Sequence, residues 1–551
     1  MKAKHIVVVA ILILSSFSSL LAQEKQNNFE ISKSLDIYNS LLRELNLNYV
    51  DEINPAELNE IAIKAMLRDL DPYTVFIPES EIEDYKLITT GEYGGIGSVI
   101  QYVDDYVRIS DPYYGFPAHK AGLIAGDIIL SVNGVDAYKK STAEVSELLK
   151  GQPGTEVTLE IRRYGIDKPL VKVLKREKIK IDNIQLFKVL DNNVGYIALD
   201  AFTQRAGAEL KEAFLKMKEE TQLSGLIIDL RGNGGGLLNE AVDIVNLFIP
   251  KDKIVVSTKG KNKSSANAYP TRQQPIDLDI PLAILVDDAS ASASEIVSGA
   301  LQDYDRAVVI GQRTFGKGLV QNIVPLNYNT QMKVTVSKYY IPSGRCIQEI
   351  DYSHKRDTTK TKSADTLGVP FKTASGRVVY EGHGITPDVL ISPKQYAPVT
   401  AYLYAKSVIF DFVNQFVSET PSIVSATEFA ITDELYNRFM DFVKAKDFKY
   451  TTETELTLEM LRKVAKKEGY HHEIEQELLE VESQLSQDKA NDLIKNRSDI
   501  EELIRLEIVG RYYYQKGRRE ASLINDEVIN RACEILLNTN GLDEYHSLLK
   551  P

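Results

Sequence analysis

Between Asp287 and Gln321 the chain reads DDASASASEIVSGALQDYDRAVVIGQRTFGKGLVQ, with Ser290, Ser292 and Ser294 alternating with alanine ahead of a helical run. Further on, Lys317 stands between Gly316 and Gly318. A hydroxyl at the start of a helix lies beside N–H groups that the helix leaves unpaired, in a field that favours developing negative charge. That setting suits attack on a carbonyl with the oxyanion held by backbone donors. Such a serine needs a base, and a lysine serves when burial lowers its pKa enough to leave the amine neutral. If the chain is extended beyond Lys317, then Lys317, Leu319 and Gln321 face one way, leaving Gln321 able to orient the amine or the serine. Each signal has an ordinary reading as well. Ser292 followed three residues later by Glu295 has the spacing of a capping box, and a lysine in a glycine-rich turn is usually solvated.

Other chemistries find less support. Only Cys346 and Cys533 are present, too far apart in sequence for a disulfide framework and without a Cys/His metal cluster. A single bridge between them stays open. No cofactor and no metal is indicated. His119, His354, His383, His471, His472 and His546 all lie outside the two glycine-rich core segments. His383 in EGHGITPD is the base of an alternative scheme, and a Ser–His–Asp triad assembled in space also stays open. The formal charge of −13 makes nucleic acid an unsuitable partner.

The elements that must position these residues follow from the pattern. The start, MKAKHIVVVAILILSSFSSLLAQEK, has a basic end, an apolar centre and a small residue before a polar stretch, the layout of a signal peptide over residues 1–22. Its loss takes the charge to −15 through Lys2 and Lys4. An exported, periplasmic protein is the expectation, with secretion or a membrane anchor as alternatives. Residues 23–91 read as helical, with Asn54 capping a helix that has Pro55 in its first turn. From 92 to 175, GEYGGIG is followed by a hairpin, a short helix, a strand, a second helix and a closing strand, a small module of its own. From 176 to 399, apolar strands alternate with helices, implying an α/β sheet covered on both faces. The segments 259–275 and 351–370 read as exposed loops. From 400 to 551 the chain becomes helical and charged, with apolar faces that suit a packed cap or an assembly surface.

Taken together, DPYTVF, GGIG with PAHKAGLIAGDIILSVNG, IIDLRGNGGG, SASASEIVSGALQD, TFGKGLVQ, YYIPSGRCIQ and GHGITPDV resemble the carboxyl-terminal processing, or tail-specific, serine peptidases. The likeness spans about Leu35 to Ile391 and is carried by the order of the motifs. It implies a multidomain α/β fold: a crotonase-like αββ peptidase core with an inserted PDZ domain and helical N- and C-terminal regions. It implies that Ser292 is the nucleophile, Lys317 the general base and Gln321 the residue orienting the lysine. Ala293 N–H and an N–H of the RGNGGG turn, assigned to Gly235, become oxyanion donors, and Glu295 supports the serine or caps the helix. Ser290 and Ser294 are the register alternatives for the nucleophile.

The 92–175 module resembles a PDZ domain. A peptide would add as a strand to its edge, its terminal carboxylate received by N–H groups around Gly95, Ile96 and Gly97, with Ile96 and Val99 lining the site of an apolar last residue. The implied partners are protein or peptide substrates with a free, apolar C-terminus. Cys346 is expected as a buried structural thiol. The aromatics Tyr113, Tyr114 and Phe116 are expected to alter the groove or pack on a helical arm. The helical tail serves dimerisation, adaptor binding or closure over the substrate passage. The competing functions are a catalytically inactive PDZ-containing scaffold and thioester chemistry on a crotonase-like core.

Overall fold

The computed structural model describes residues 28–82, 90–261, 266–352, 368–538 and 543–551. The signal-peptide reading of residues 1–22 and most of the 351–370 segment therefore lie outside the described residues. The chain divides into two compact units, the smaller holding the described residues up to Ile77 together with Ile323–Val334 and Tyr352.

In the smaller unit, residues 28–48 are helical and are followed by the helix Pro55–Arg68. Asn54 caps the latter as its sequence predicts, accepting from Ala56 and Glu57 N–H. Tyr38 on the first helix donates to Asn59 Oδ1 on the second, at 2.9 Å. Asp71 then folds the DPYT turn by accepting from Tyr73 N, Thr74 N and the Thr74 hydroxyl. The strand Val75–Ile77 that emerges pairs with Gln331–Lys333.

In the larger unit the 92–175 module is a sheet ordered Ser98–Val103, Tyr106–Pro112, Ile128–Val132, Glu156–Arg162, Leu170–Lys175. Its core is formed by Ile96, Val107, Ile109, Ile129, Val145, Val157, Leu159 and Ile161. Asp104 and Asp105, both at positive φ, make the two-residue hairpin turn that joins the first two strands. The Thr142–Leu149 helix begins with the full capping box of Ser141 and Glu144. The strand at 156–162 does not close the module as expected, because Leu170–Lys175 pairs outside it.

The principal core is a sheet in the order Ile184–Val189, Val194–Leu199, Gly225–Asp229, Leu282–Val286, Val308–Gly311, Val389–Leu390. Only the first pair is antiparallel. The strands read as unbroken apolar runs because both faces are covered. One face packs against the helices Ala206–Glu220, Leu238–Asn246 and Ala293–Asp303 through Leu210, Phe214, Val245, Ile296 and Val297. The other is closed from the far end of the chain by Ile529, Ala532, Ile535, Leu536 and Tyr545. The helices Glu527–Leu537 and Glu544–Leu548 of the C-terminal helical region therefore cover this second face of the sheet. Within the segment read as an exposed loop, Asn267–Pro270 forms a strand that pairs antiparallel with Ile254–Gly260.

The remaining tail helices form their own core around Phe412, Phe416, Tyr436, Phe439, Ile500 and Ile504. The long helix Arg497–Ser522 meets both neighbours. Arg511 donates to Ser110 O and Arg518 to Asp111 of the small module, while Arg519 pairs with Asp200 and Glu520 with Lys188 of the core. Arg108 and Arg511 both lie over the Phe410 ring, at 3.7 and 4.1 Å. Burial pulls the Arg511 pKa down to about 10. Tyr514, kinked out of helical geometry at φ 56°, packs on Tyr114 at 5.1 Å, so that aromatic does rest on a helical arm. Among the described residues no helix is long and apolar enough to cross a membrane.

Candidate active site

Three neighbouring parallel strands, Gly225–Asp229, Leu282–Val286 and Val308–Gly311, end at one rim of the sheet. The crevice beyond the carboxyl ends of such strands is where open α/β sheets place their ligands. The first strand runs into Arg231–Gly236, the second into the serine cluster, and the third into the turn that carries Lys317.

The serines have different occupations. Ser290 is fully buried, its hydroxyl donating to Leu230 O at 2.8 Å and lying 3.0 Å from Asp287 Oδ1. Ser294 is also buried and donates to Asn233 O at 2.8 Å. Ser292 lies between them, partly exposed, and its side chain makes no helix-capping hydrogen bond. Ser292 N–H donates to Glu295 Oε2 at 2.8 Å, and Glu295 N–H donates to Ser292 O at 2.9 Å. Ser292 has φ 56° and ψ −111°, a conformation costly for a residue with a Cβ and held only where the surroundings over-determine it. Asp287 contributes to that constraint by accepting from Gly232 N, Ala289 N and Ser290 N.

Glu295 joins the serine to the lysine turn. Its side chain is wholly buried, with Oε1 accepting from the Thr314 hydroxyl at 2.6 Å and from Gly316 N at 2.8 Å. Oε2 accepts from Lys317 N at 2.9 Å as well as from Ser292 N. Burial pushes the Glu295 pKa up, while these donors work in the opposite direction. Tyr339, on the strand Gln331–Tyr340, adds a second tie: its hydroxyl stands 2.6 Å from Lys317 O and 3.1 Å from Ser292 O. Lys317 itself is partly buried. Gln321 is carried two turns of pleat further along Leu319–Pro325, and its amide donates to Thr335 Oγ1 at 3.3 Å.

The glycine turn lies against the serine. A Cβ on Gly235 would stand 2.8 Å from Ser292 Cβ, 2.6 Å from Ala291 O and 2.8 Å from Ala293 N, so only glycine fits. The expectation that Gly235 N–H is an open oxyanion donor needs correction, because that N–H donates to Asn233 Oδ1 at 2.9 Å. Gly235 contributes closeness instead. Ala293 N–H, at the start of the helix, makes no hydrogen bond among the described residues.

Asn233, Thr314, Asp287 and Tyr339 were not singled out from the sequence. Asn233 and Asp287 accept from N–H groups two or three residues ahead, the spacing of an Asx turn, whereas Thr314 and Tyr339 find their partners only through tertiary approach. Cys346 and Cys533 are both buried and are not joined in a disulfide. Arg345, beside Cys346 and buried like it, pairs with Asp303 at the far end of the serine-bearing helix. Among the described residues no group of His, Cys, Asp and Glu could hold a metal ion.

In the small module, Gly95, Ile96 and Gly97 form the turn into the edge strand Ser98–Val103. The Ile96 side chain does not line a groove as expected: it is 3% exposed and belongs to the module core. Val99 is 42% exposed, and its neighbour Ile100 is the residue that packs inward, as strand alternation requires.

Comparison with known proteins agrees with these parts. Residues 193–354 match peptidase family S41, residues 108–163 a PDZ domain, and residues 399–536 the description "Probable PDZ-protease, C-terminal helical domain". The carboxy-terminal-processing protease of Bartonella bacilliformis is 34% identical over 352 residues, covering 63% of this chain and 80% of that protein. A "Probable CtpA-like serine protease" of Staphylococcus aureus is 36% identical over 345 residues, covering 62% of this chain and 67% of that protein. Among solved structures, the photosystem II D1 C-terminal processing protease is 29% identical, covering 64% of this chain and 86% of that one at a TM-score of 0.37. With its S41 core, PDZ domain and C-terminal helical domain, the chain belongs to the carboxy-terminal-processing serine proteases of peptidase family S41.

Proposed function

We propose that this serine protease is exported and that it hydrolyses peptide bonds through a Ser292/Lys317 dyad, selecting substrates by a free C-terminus bound at the PDZ module. The observation that carries the catalytic assignment is the division of labour among the serines. Ser290 and Ser294 are committed to the backbone, and Ser292 sits strained and partly exposed with its N–H on the same carboxylate oxygen as Lys317 N–H.

In this reading neutral Lys317 Nζ takes the Ser292 Oγ proton as the oxygen attacks the scissile carbonyl. The tetrahedral oxyanion forms beside Ala293 N–H and the helix N-terminus. Gly235 N–H reaches it only by leaving Asn233. Collapse breaks the C–N bond, the Lys317 ammonium protonates the leaving amine, and an ester on Ser292 remains. Water, deprotonated by Lys317, then releases the acid and restores the serine. Gln321 orients the amine through its side-chain oxygen, and Glu295 positions both partners without touching substrate. The substrate's end adds to the Ser98–Val103 edge beside the Thr142–Leu149 helix, with its carboxylate at the Gly95–Gly97 turn and its apolar last side chain toward Ile100. Export rests on the layout of residues 1–22, and the periplasm is the compartment it suits best.

The test is cleavage of a peptide with an apolar free C-terminus, beside its amidated form and beside the Ser292→Ala protein. Turnover confined to the unmodified serine and the free acid supports the reading. Undiminished turnover by the alanine protein refutes the nucleophile, and equal cleavage of the two peptides refutes carboxylate-directed selection.

A further inference from the structure

The entry to the PDZ groove holds a side chain that the motifs did not single out. Tyr113 N–H donates to Gly97 O at 3.0 Å, and the next residue, Ser98, lies opposite Pro112. Because hydrogen-bonded and non-bonded pairs alternate along an antiparallel ladder, Ser98 N–H turns away from that neighbour, toward the open edge of the sheet. Tyr93 covers this place. A Cβ on Gly95 would stand 2.7 Å from Tyr93 Cε2 and 3.1 Å from Cδ2, so the ring lies directly over the turn, which requires glycine there. Phe116 walls the other side, 2.5 Å from a Cβ placed on Gly97. The Tyr93 oxygen is within reach of the N–H groups of both Gly97 and Ser98, and burial pushes its pKa up to about 12, so the phenol stays neutral.

Resting on the proposed reading of the module as a receiver of free C-termini, we propose that the Tyr93 hydroxyl is the resident occupant of the carboxylate seat, so that a peptide binds by displacing it. A terminal carboxylate is the stronger acceptor for these donors, since hydrogen bonds to an ionised oxygen are about twice as strong as neutral ones. A neutral end lacks that advantage. Tyr93 thereby acts as a specificity residue that excludes weak acceptors from the groove, and it does so without contacting the substrate's side chains.

The experiment uses the full chain carrying Ser292→Ala, so that peptides are bound and not cut. A fluorescently labelled peptide with an apolar C-terminus is titrated as free acid and as amide, with Tyr93 intact and with Tyr93→Phe, which keeps the ring on Gly95. Phe should tighten binding of the free acid by about threefold to tenfold, the scale of one or two net hydrogen bonds. It should also raise the amide into measurable range while leaving it weaker than the acid. Unchanged or weaker binding of the acid by Tyr93→Phe overturns the displacement, weaker binding identifying the hydroxyl as a contact to the peptide. If acid and amide bind alike with Tyr93 intact, carboxylate recognition itself fails, whatever the variant does.

Discussion

The main-chain N–H groups of Ser292 and Lys317 donate to the same oxygen, Glu295 Oε2, at 2.8 and 2.9 Å. One buried carboxylate thus fixes the backbone of the proposed nucleophile against that of the proposed base, and the Tyr339 hydroxyl repeats the tie through their carbonyls. Rigid supporting contacts of this kind hold reacting groups in register without taking part in the chemistry.

Replacing Lys317 separates charge from basicity. A guanidinium keeps the positive charge but cannot give up its proton. Lys317→Arg and Lys317→Met should both lose on the order of 10⁴-fold in kcat with peptide affinity retained. Single-turnover kinetics beside peptide titration checks this, and an active arginine variant would show that a fixed charge suffices.

Glu295→Gln keeps the size but substitutes an amide nitrogen for one acceptor, setting donor against donor at Ser292 and Lys317 or at Thr314 and Gly316. The expected loss is about 1–3 kcal/mol of stability, read by denaturant unfolding, with kcat reduced more than KM.

The same group gives a pH signature. Its folded pKa lies above the ordinary glutamate value, so the fold holds that proton more firmly than the unfolded chain does. Its contribution to stability is therefore greatest below the ordinary value and is lost as pH rises through the raised one. Acidification from neutrality should gain stability through Glu295 while releasing donors that align the site, so activity falls in a range where this group favours folding. Glu295→Gln should abolish that part of both profiles, measured by subtracting the variant's pH–stability and pH–activity curves from the parent's.

Tyr339→Phe removes a hydroxyl from two carbonyls and leaves the ring in the core. Stability should fall by about 1 kcal/mol, and kcat should fall while KM holds. A change confined to KM would place Tyr339 at the substrate instead.

Gly235→Ala should abolish turnover, because the new methyl would enter the space of Ser292 Cβ at 2.8 Å and the residue would be held at φ 95°. Peptide binding at the PDZ module, measured by titration, should be unaffected.

Much of this arrangement is legible from residue order. The alternating serines, the lysine between glycines and the GNGGG turn are local patterns, and each sits where a parallel strand ends, as its apolar run predicts. Choosing Ser292 over its neighbours requires knowing which hydroxyls are consumed by Leu230 O and Asn233 O, and those partners come from another strand. Gly235 N–H is taken locally: the Asn233 side chain reaches two residues forward and accepts it, an Asx turn that the Asn-Gly-Gly order permits without dictating. Ile96 follows the apolar pattern of a groove and of a core equally well, and only packing with Val107 and Ile109 decides for the core. Tyr339 bridges by tertiary approach, with no spacing to announce it.

The sheet that carries the serine and the lysine turn is lined on one face by side chains from Ile529 to Tyr545. During synthesis, a ribosome that has already delivered Ser292 and Lys317 has still to make these residues. Until they emerge, Tyr196, Ala198, Ile227, Ala283, Leu285 and Val308 border solvent on that side. Maturation of the catalytic layer thus waits on synthesis of Ile529 to Tyr545, and chains cut short before Glu527 should surface as aggregates or be degraded before they act as uncapped enzymes.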